Sequence, residues 1–110
     1  MDNSTTWIFT HKSRNDTRIT FTPDDYRSEL ELIYDNPGLE PGREMMYFGG
    51  DGTLAELVRD IYDETCEVND KLHDGVELTG EEDSVYGGYT LDALDAFEGA
   101  LAYLLESVIV

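Results

Sequence analysis

The sequence predicts an α+β fold in which a small antiparallel β-sheet from the N-terminal half packs against two or three helices. Two observations predict it. The first half alternates short segments rich in Thr, Ile and aromatic residues with turn-forming residues, as strands do. The second half repeats apolar residues three and four positions apart, as amphipathic helices do. With 110 residues and 40% hydrophobic content, the chain is expected to form a single domain over 1–110.

The first element is a predicted β-hairpin. Segments 5–11 and 17–21 have the composition of strands, and the polar stretch 13–16 between them has turn chemistry. The following segment, 23–34, fits two structures. A Thr-Pro-Asp-Asp motif at 22–25 is typical of a helix start, whereas alternating apolar residues at 30, 32 and 34 are typical of a strand. The capping motif favours the helix, and Asn-Pro-Gly at 36–38 ends the segment in either case.

A long acidic helix is predicted at about 54–73. A short apolar strand at 44–48 leads into a glycine-rich loop at 49–52, and Thr53 with Glu56 has the spacing of a capping box. Its apolar side would consist of Leu54, Val58, Ile61, Thr65, Val68 and Leu72. This helix therefore has a face to bury against a core.

The remaining residues predict a loop and a second helix. Segment 75–88 is polar and acidic without a sustained period, and we expect it to be a mobile loop. Thr90 then caps a C-terminal helix at about 91–108, which is apolar on more than one side. Such a helix either lies at the centre of the core or contacts a second subunit, so a homodimer through this helix is possible.

The net charge of −18 is unevenly distributed and restricts the choice of partner. Residues 1–49 hold nine acids and five bases, whereas residues 50–110 hold sixteen acids and two bases. A field of this sign repels nucleic acids and anionic membranes and attracts basic surfaces. We therefore expect a basic protein as partner, with no direct binding to nucleic acid or membrane.

The acids of the long helix recur at the helical repeat. Glu56, Asp60, Asp63, Glu67, Asp70 and Asp74 are separated by four, three, four, three and four residues. Like charges at this spacing repel, so the pattern slightly destabilises the helix and indicates a function. A helix places such carboxylates about 5 Å apart along its axis, which is of the same order as phosphate spacing in nucleic acids. The predicted partner-binding residues are Glu56, Asp60, Asp63, Glu64, Glu67, Asp70, Asp74, Glu77, Glu81, Glu82 and Asp83.

Sequence motifs of catalysis are not evident. His11 and His73 lack neighbours at metal-ligand spacing, and no nucleophile motif is present. The sequence therefore predicts a non-catalytic protein without cofactor or metal. Cys66 is the single cysteine and has apolar neighbours, which favours a buried thiol and an intracellular, cytoplasmic protein.

The loop Gly49-Gly50-Asp51-Gly52-Thr53 resembles the GGDGT loop of diacylglycerol-type lipid kinases and NAD kinases. The resemblance covers about ten residues and implies a nucleotide-binding loop in which Asp51 would be the functional residue. The alternative is a glycine turn followed by a helix cap. The net charge of −18, which opposes polyphosphate binding, favours this alternative and leaves a nucleotide-binding fragment as a remote possibility.

In size and charge pattern, chiefly over residues 53–98, the chain resembles the small DNA-mimic proteins that phages use against bacterial defences, including anti-CRISPR and anti-restriction inhibitors. The resemblance implies a non-catalytic inhibitor that occludes the DNA- or RNA-binding surface of a basic partner, such as a CRISPR effector or restriction nuclease. If the protein is phage-encoded, it would act in the host cell cytoplasm.

Two alternatives share the acidic composition. A halophile-type binding domain carries abundant surface acids and little lysine, and this chain has only Lys12 and Lys71. An antitoxin or immunity protein that blocks a basic toxin would depend on the same electrostatics. The uneven charge favours mimicry, because a salt-adapted surface should be acidic on all sides.

Overall fold

The computed structural model describes residues 4–12, 15–24, 26–36 and 42–109. It has two layers, an antiparallel sheet in the order β1-β2-β3-β4 and a layer of helices on one sheet face. The elements are β1 (Thr5–Thr10), β2 (Asp16–Thr22), β3 (Ser28–Asp35), β4 (Arg43–Gly50), α1 (Leu54–His73), α2 (Gly80–Tyr86), α3 (Leu91–Tyr103) and a π-helical turn (Leu104–Val108). The predicted α+β class is confirmed.

The strands alternate between a buried and an exposed face, as a sheet covered on one side requires. Ile19, Leu32 and Met46 lie side by side in the register and point into the core. The predicted hairpin is present as β1 and β2. Its predicted turn at 13–16 includes residues 13 and 14, which lie outside the described residues.

The preference for a helix at 23–34 is wrong. Residues 28–35 form β3, paired with β2 on one side and β4 on the other. The alternation of Leu30, Leu32 and Tyr34 decided the structure, because it buries all three side chains in the sheet while Tyr26 stays 88% exposed. Two flanking strands supply long-range hydrogen bonds that a local capping motif cannot outweigh. In the predicted stop at 36–38, residues 37 and 38 lie outside the described residues.

Helix α1 begins where the sequence predicts. The hydroxyl oxygen of Thr53 accepts a hydrogen bond from the backbone N–H of Glu56 at 3.3 Å. The Glu56 carboxylate accepts from the Thr53 hydroxyl at 3.3 Å, so the predicted capping box forms only in part. The buried residues of the helix are Leu57, Val58, Ile61, Thr65, Val68 and Asn69.

Helix α1 ends in a Schellman motif. Gly75 has a φ of +73°, and its N–H donates to the carbonyl of Leu72 at 3.3 Å. The next N–H, that of Val76, donates to the carbonyl of Lys71 at 2.8 Å. This geometry stops the helix and turns the chain back along it.

We expect Gly75→Ala to lower the free energy of unfolding by about 1 kcal/mol, because an L residue at this φ is strained. A Cβ at Gly75 would have nothing within 4 Å, so the loss would come from the backbone alone. Urea unfolding followed by circular dichroism measures it. Gly80→Ala is the matched control: its Cβ also meets nothing within 4 Å, and its φ is not positive. Equal losses in both variants would contradict the prediction.

The expected mobile loop at 75–88 is wrong for its second half, which forms α2. Thr79 and Glu82 make a complete capping box, in which each side chain accepts from the backbone N–H of the other. Tyr86 is 1% exposed and ties the short helix to the core. The capping spacing was present in the sequence, but no apolar repeat accompanied it.

Helix α3 is the central core helix. Its buried residues are Ala93, Leu94, Ala96, Phe97, Ala100 and Leu101, and Leu104 of the π-helical turn is buried beside them. They pack within one chain, which accounts for the apolar character of the helix without a second subunit. The homodimer stays a prediction. Within the described residues, none of the helices combines the length and hydropathy that a membrane span requires.

Candidate partner-binding surface

The structure brings six predicted carboxylates onto one exposed face of α1. We call this row the acidic ridge: Glu56, Asp60, Asp63, Glu67, Asp70 and the C-cap residue Asp74, all of which are exposed. From the first to the last residue the helix rises about 27 Å. The opposite side of α1 is buried against the core, so a packed element presents the charge.

Two cations lie on the same helix and modify the ridge. Arg59 is exposed and adjacent in sequence to Asp60 of the ridge. Lys71 binds Glu82 at 2.9 and 3.0 Å, and it lies 3.7 Å from Glu67 of the ridge. The hydrogen bond to Glu82 raises the pKa of Lys71 and lowers the pKa of Glu82. The ammonium group of Lys71 therefore contacts Glu82 of α2 more closely than it contacts the ridge.

The flanking acids predicted as partner contacts divide into two groups. Glu64, Glu77, Glu81 and Asp83 are exposed and widen the acidic surface. The side chain of Glu82 is only 13% exposed, and its carboxylate accepts from Lys71 and from the backbone of Thr79. Glu82 therefore fixes α2 to α1 and offers little free charge to a partner.

A polar contact that the sequence did not reveal joins α1 to α3 behind the ridge. Asn69 is 3% exposed, and its amide nitrogen donates to Asp95 at 2.8 Å and to Glu98 at 2.6 Å. His73 Nε2 lies 3.1 Å from the same Asp95 oxygen. The two carboxylates of α3 therefore orient the acidic helix. An asparagine beside Val68 on the apolar face was the available signal.

A cleft of about 540 Å³ lies at the C-terminal end of the ridge. We call it the α2 cleft. Its lining residues are Leu72, Val76, Glu77, Leu78, Thr79, Gly80, Asp83, Gly87, Tyr89 and Leu91. The sequence could not predict it, because the segment that forms its wall was expected to be a mobile loop.

Several contacts fix the shape of the α2 cleft. The Schellman motif places Val76, and the Tyr89 hydroxyl donates to the carbonyl of Met45 at 2.6 Å. The Lys71–Glu82 ion pair and buried Tyr86 hold α2 in place. Two apolar side chains in the lining still face solvent, since Val76 is 50% and Leu91 42% exposed.

The glycine-rich loop connects β4 to α1, in the strand-loop-helix context that the sequence predicts. Gly52 has a φ of +126°, and a Cβ there would lie 2.8 Å from a carboxylate oxygen of Glu56. A negative side chain thus covers the turn at the helix start. This arrangement favours a glycine turn with a helix cap over a phosphate-binding loop.

A second cavity of about 300 Å³ lies between His11 and Lys12, which follow β1, and the α1–α3 pair. His11, Lys12, Asp95 and Glu98 contribute polar groups to its lining. Across the described ranges, no three His, Cys, Asp or Glu side chains are grouped so that they could hold a metal ion.

Cys66 is half-buried and faces acidic neighbours. Burial, together with a hydrogen bond to Glu98, raises the pKa of the Cys66 thiol to about 11. The Tyr62 hydroxyl interacts with the same sulfur, and this hydrogen bond with burial raises the pKa of Tyr62 to about 12. The thiol therefore stays protonated at neutral pH, which is unfavourable for nucleophilic chemistry.

We expect Cys66 of the folded protein to react slowly with a disulfide reagent such as DTNB. With its pKa raised to about 11 from the usual 9.0, the thiol carries roughly a hundredth of the ordinary thiolate at pH 8, and the rate should fall about as much. The protein unfolded in guanidinium chloride is the control and should react at the ordinary rate. Equal rates in the two states would contradict the prediction.

Comparison of the chain with protein-family models, with curated proteins and with solved structures gave no match.

Proposed function

We propose that the protein is a non-catalytic inhibitor that mimics nucleic-acid phosphates and occludes the DNA- or RNA-binding surface of a basic protein. The acidic ridge is the observation that carries this proposal. Six exposed carboxylates follow one helix at a spacing of about 5 Å along its axis, of the same order as that of backbone phosphates. Lysine and arginine side chains in a phosphate-binding groove could therefore form ion pairs with the ridge carboxylates.

The support beneath the ridge suits this role. Flexible acidic segments lose conformational entropy when they bind, whereas α1 is already packed against α3 and held by the contacts of Asn69. Charges on a fixed helix also steer association with a basic groove. The expected mode of action is competition by mass action, with DNA and inhibitor excluding each other.

The class of target follows from the resemblance to phage DNA mimics. We propose a nuclease or CRISPR effector of the host cell, acting in the cytoplasm. A basic toxin blocked by an antitoxin or immunity protein would show the same electrostatics. Displacement of the captured protein by duplex DNA distinguishes a nucleic-acid-binding target from other basic proteins.

The distribution of charge over the fold disfavours simple salt adaptation. The helices and the π-helical turn carry thirteen acids and two bases, whereas the strands carry five acids and two bases. The outer sheet face also exposes apolar side chains, including Ile8 and Tyr47. A halophile-type domain should unfold at low salt, and circular dichroism in 20 mM and molar salt tests this alternative.

We expect reversal of three ridge charges to abolish target capture and leave the fold intact. The variant Asp60→Lys/Asp63→Lys/Asp70→Lys removes three phosphate-like contacts and adds repulsion. Each reversal should cost about 1 kcal/mol of binding, so Asp63→Lys alone weakens binding a few-fold and the triple variant about 100-fold. The measurement is capture from bacterial lysate at low salt, elution with duplex DNA, and competition assays with the protein that DNA releases.

The matched control is Asp24→Lys/Glu29→Lys/Glu106→Lys, which changes the net charge equally at exposed positions outside the ridge. We expect this control to retain DNA-displaceable capture. If the ridge variant captures and competes as well as the wild type, the ridge is not the interface. If both triple variants fail alike, overall charge rather than the ridge is responsible.

A further inference from the structure

An acidic helix alone does not select one target among many basic proteins. Exposed charges give fast association and general attraction, but discrimination between similar partners requires contacts that only one of them can make. The proposed function therefore needs a second, more specific feature near the ridge. The α2 cleft is adjacent to the ridge, because its wall begins where α1 ends at Asp74.

The lining of the cleft combines apolar and acidic side chains. Leu72, Val76 and Leu91 are among its apolar lining residues, while Glu77 and Asp83 bring carboxylates to the same opening. Val76 and Leu91 keep 50% and 42% of their surface exposed. Covering these apolar side chains would be favourable, and the carboxylates would attract cations flanking whatever covers them.

We propose that the α2 cleft receives an apolar or aromatic side chain of the basic partner, carried by a segment in which lysine or arginine flanks that side chain. This inference rests on the proposed function, since it assigns the cleft to the protein that binds the ridge. Nucleic acid itself presents no such side chain, so the cleft adds affinity that phosphate mimicry does not supply.

Size and charge both favour this occupant. A volume of about 540 Å³ exceeds that of a single Leu or Phe side chain and leaves room for the segment that carries it. A second copy of this chain is disfavoured, because each copy carries a net charge of −18 and the cleft opens among carboxylates. A basic segment meets both the apolar and the acidic parts of the lining.

The test uses two synthetic basic peptides of equal length and charge. One carries a central Phe flanked by Lys and Arg residues, and the other carries Ser in place of Phe. At 0.15 M NaCl we expect the Phe peptide to bind the full-length protein about ten times more tightly by fluorescence anisotropy. Amide chemical-shift changes should appear at the cleft for the Phe peptide and along the ridge for both peptides.

Matched variants assign the difference to the cleft. Val76→Thr combined with Leu91→Ser makes the lining polar at exposed positions and should remove the tenfold preference for Phe. Val85→Thr is the control, because Val85 is 47% exposed on α2 but does not line the cleft. The ridge variant Asp60→Lys/Asp63→Lys/Asp70→Lys should weaken both peptides equally and keep the preference.

The possible failures separate the two proposals. Equal binding of the two peptides, or a preference that survives Val76→Thr/Leu91→Ser, overturns the cleft assignment and leaves the ridge proposal standing. Absence of binding by both peptides even in 20 mM NaCl overturns the ridge proposal with it. If an uncharged Phe peptide binds as tightly as the basic Phe peptide, the proposal that lysine or arginine flanks the inserted side chain is wrong. Sedimentation that shows a dimer dispersed by Leu91→Ser identifies a second copy as the occupant.

Discussion

Phe97→Ala is expected to lower the free energy of unfolding by about 4 kcal/mol, the largest loss among the substitutions considered. Phe97 lies in α3 and is completely buried. Removal of its ring deletes apolar contacts and leaves a cavity between the sheet and the helix layer. A domain of this size is stabilised by roughly 5–15 kcal/mol in total, so the variant should lose between about a quarter and most of its stability.

The same substitution should also disturb the α2 cleft. Tyr89 meets Phe97 edge-to-face, with ring centroids 5.5 Å apart and an interplanar angle of 80°. Without Phe97, the ring of Tyr89 loses the aromatic side chain against which it packs, although the Tyr89 hydroxyl can still donate to the carbonyl of Met45. Urea unfolding followed by circular dichroism measures stability, and amide chemical shifts around Tyr89 report the local change.

Phe97→Leu is the matched control, because it keeps most of the apolar volume. We expect it to cost less than about 1.5 kcal/mol. A loss below 2 kcal/mol for Phe97→Ala would mean that the site collapses around the smaller side chain, and the central role given to α3 in the core would then be wrong.

Glu44→Ala is expected to lower the free energy of unfolding by about 3 kcal/mol. This is a large loss for a charged residue in a strand. Glu44 is 7% exposed and points inward from β4. Its carboxylate accepts from the N–H of Thr90 at 2.8 Å, from the Thr90 hydroxyl at 2.7 Å and from the Asn36 amide at 3.1 Å. Removal of the carboxylate deprives the N–H and the hydroxyl of Thr90, both partly buried, of this acceptor.

The position of Glu44 also matters for α3. Thr90 is the N-cap of α3. Its hydroxyl oxygen accepts a hydrogen bond from the N–H of Ala93 at 3.2 Å, and the same hydroxyl donates a hydrogen bond to Glu44. The sheet thus fixes the start of the core helix through one carboxylate. Amide hydrogen exchange should therefore accelerate in the first turn of α3 in the Ala variant, before the rest of the helix is affected.

Glu44→Gln separates shape from charge. The Gln amide keeps one oxygen that can accept a hydrogen bond from Thr90. Its NH₂ group, however, faces a second donor and cannot accept from it, so we expect the free energy of unfolding to fall by about 1 kcal/mol. Urea unfolding measures both variants. If Glu44→Ala costs no more than Glu44→Gln, the hydrogen bonds of the carboxylate contribute little and the cap is held by packing alone.

Prediction from the sequence succeeded where one periodicity was unambiguous. The acidic ridge and the centre of the buried side of α1, Val58, Ile61, Thr65 and Val68, follow from a helical repeat on both faces, with Thr53 as its start. Leu54 and Leu72 of the predicted side are only partly buried, and the buried Leu57 and Asn69 were not predicted. Prediction failed at 23–34, where local capping chemistry opposed an alternation that only pairing with β2 and β4 could stabilise. It also failed for α2, which is too short to show an apolar repeat and depends on Tyr86 and on Glu82 bound to Lys71.

The α+β class, the long acidic helix and the row of carboxylates along it follow from local sequence patterns, because each depends on residues close together in the chain. Which carboxylates remain available to a partner depends on tertiary contacts. The tertiary structure turned Glu44 and Glu82 into internal hydrogen-bond acceptors, and it formed the α2 cleft between two helices and a segment that was expected to be a loop. These features depend on contacts between distant residues, whose burial and partners no local pattern specifies.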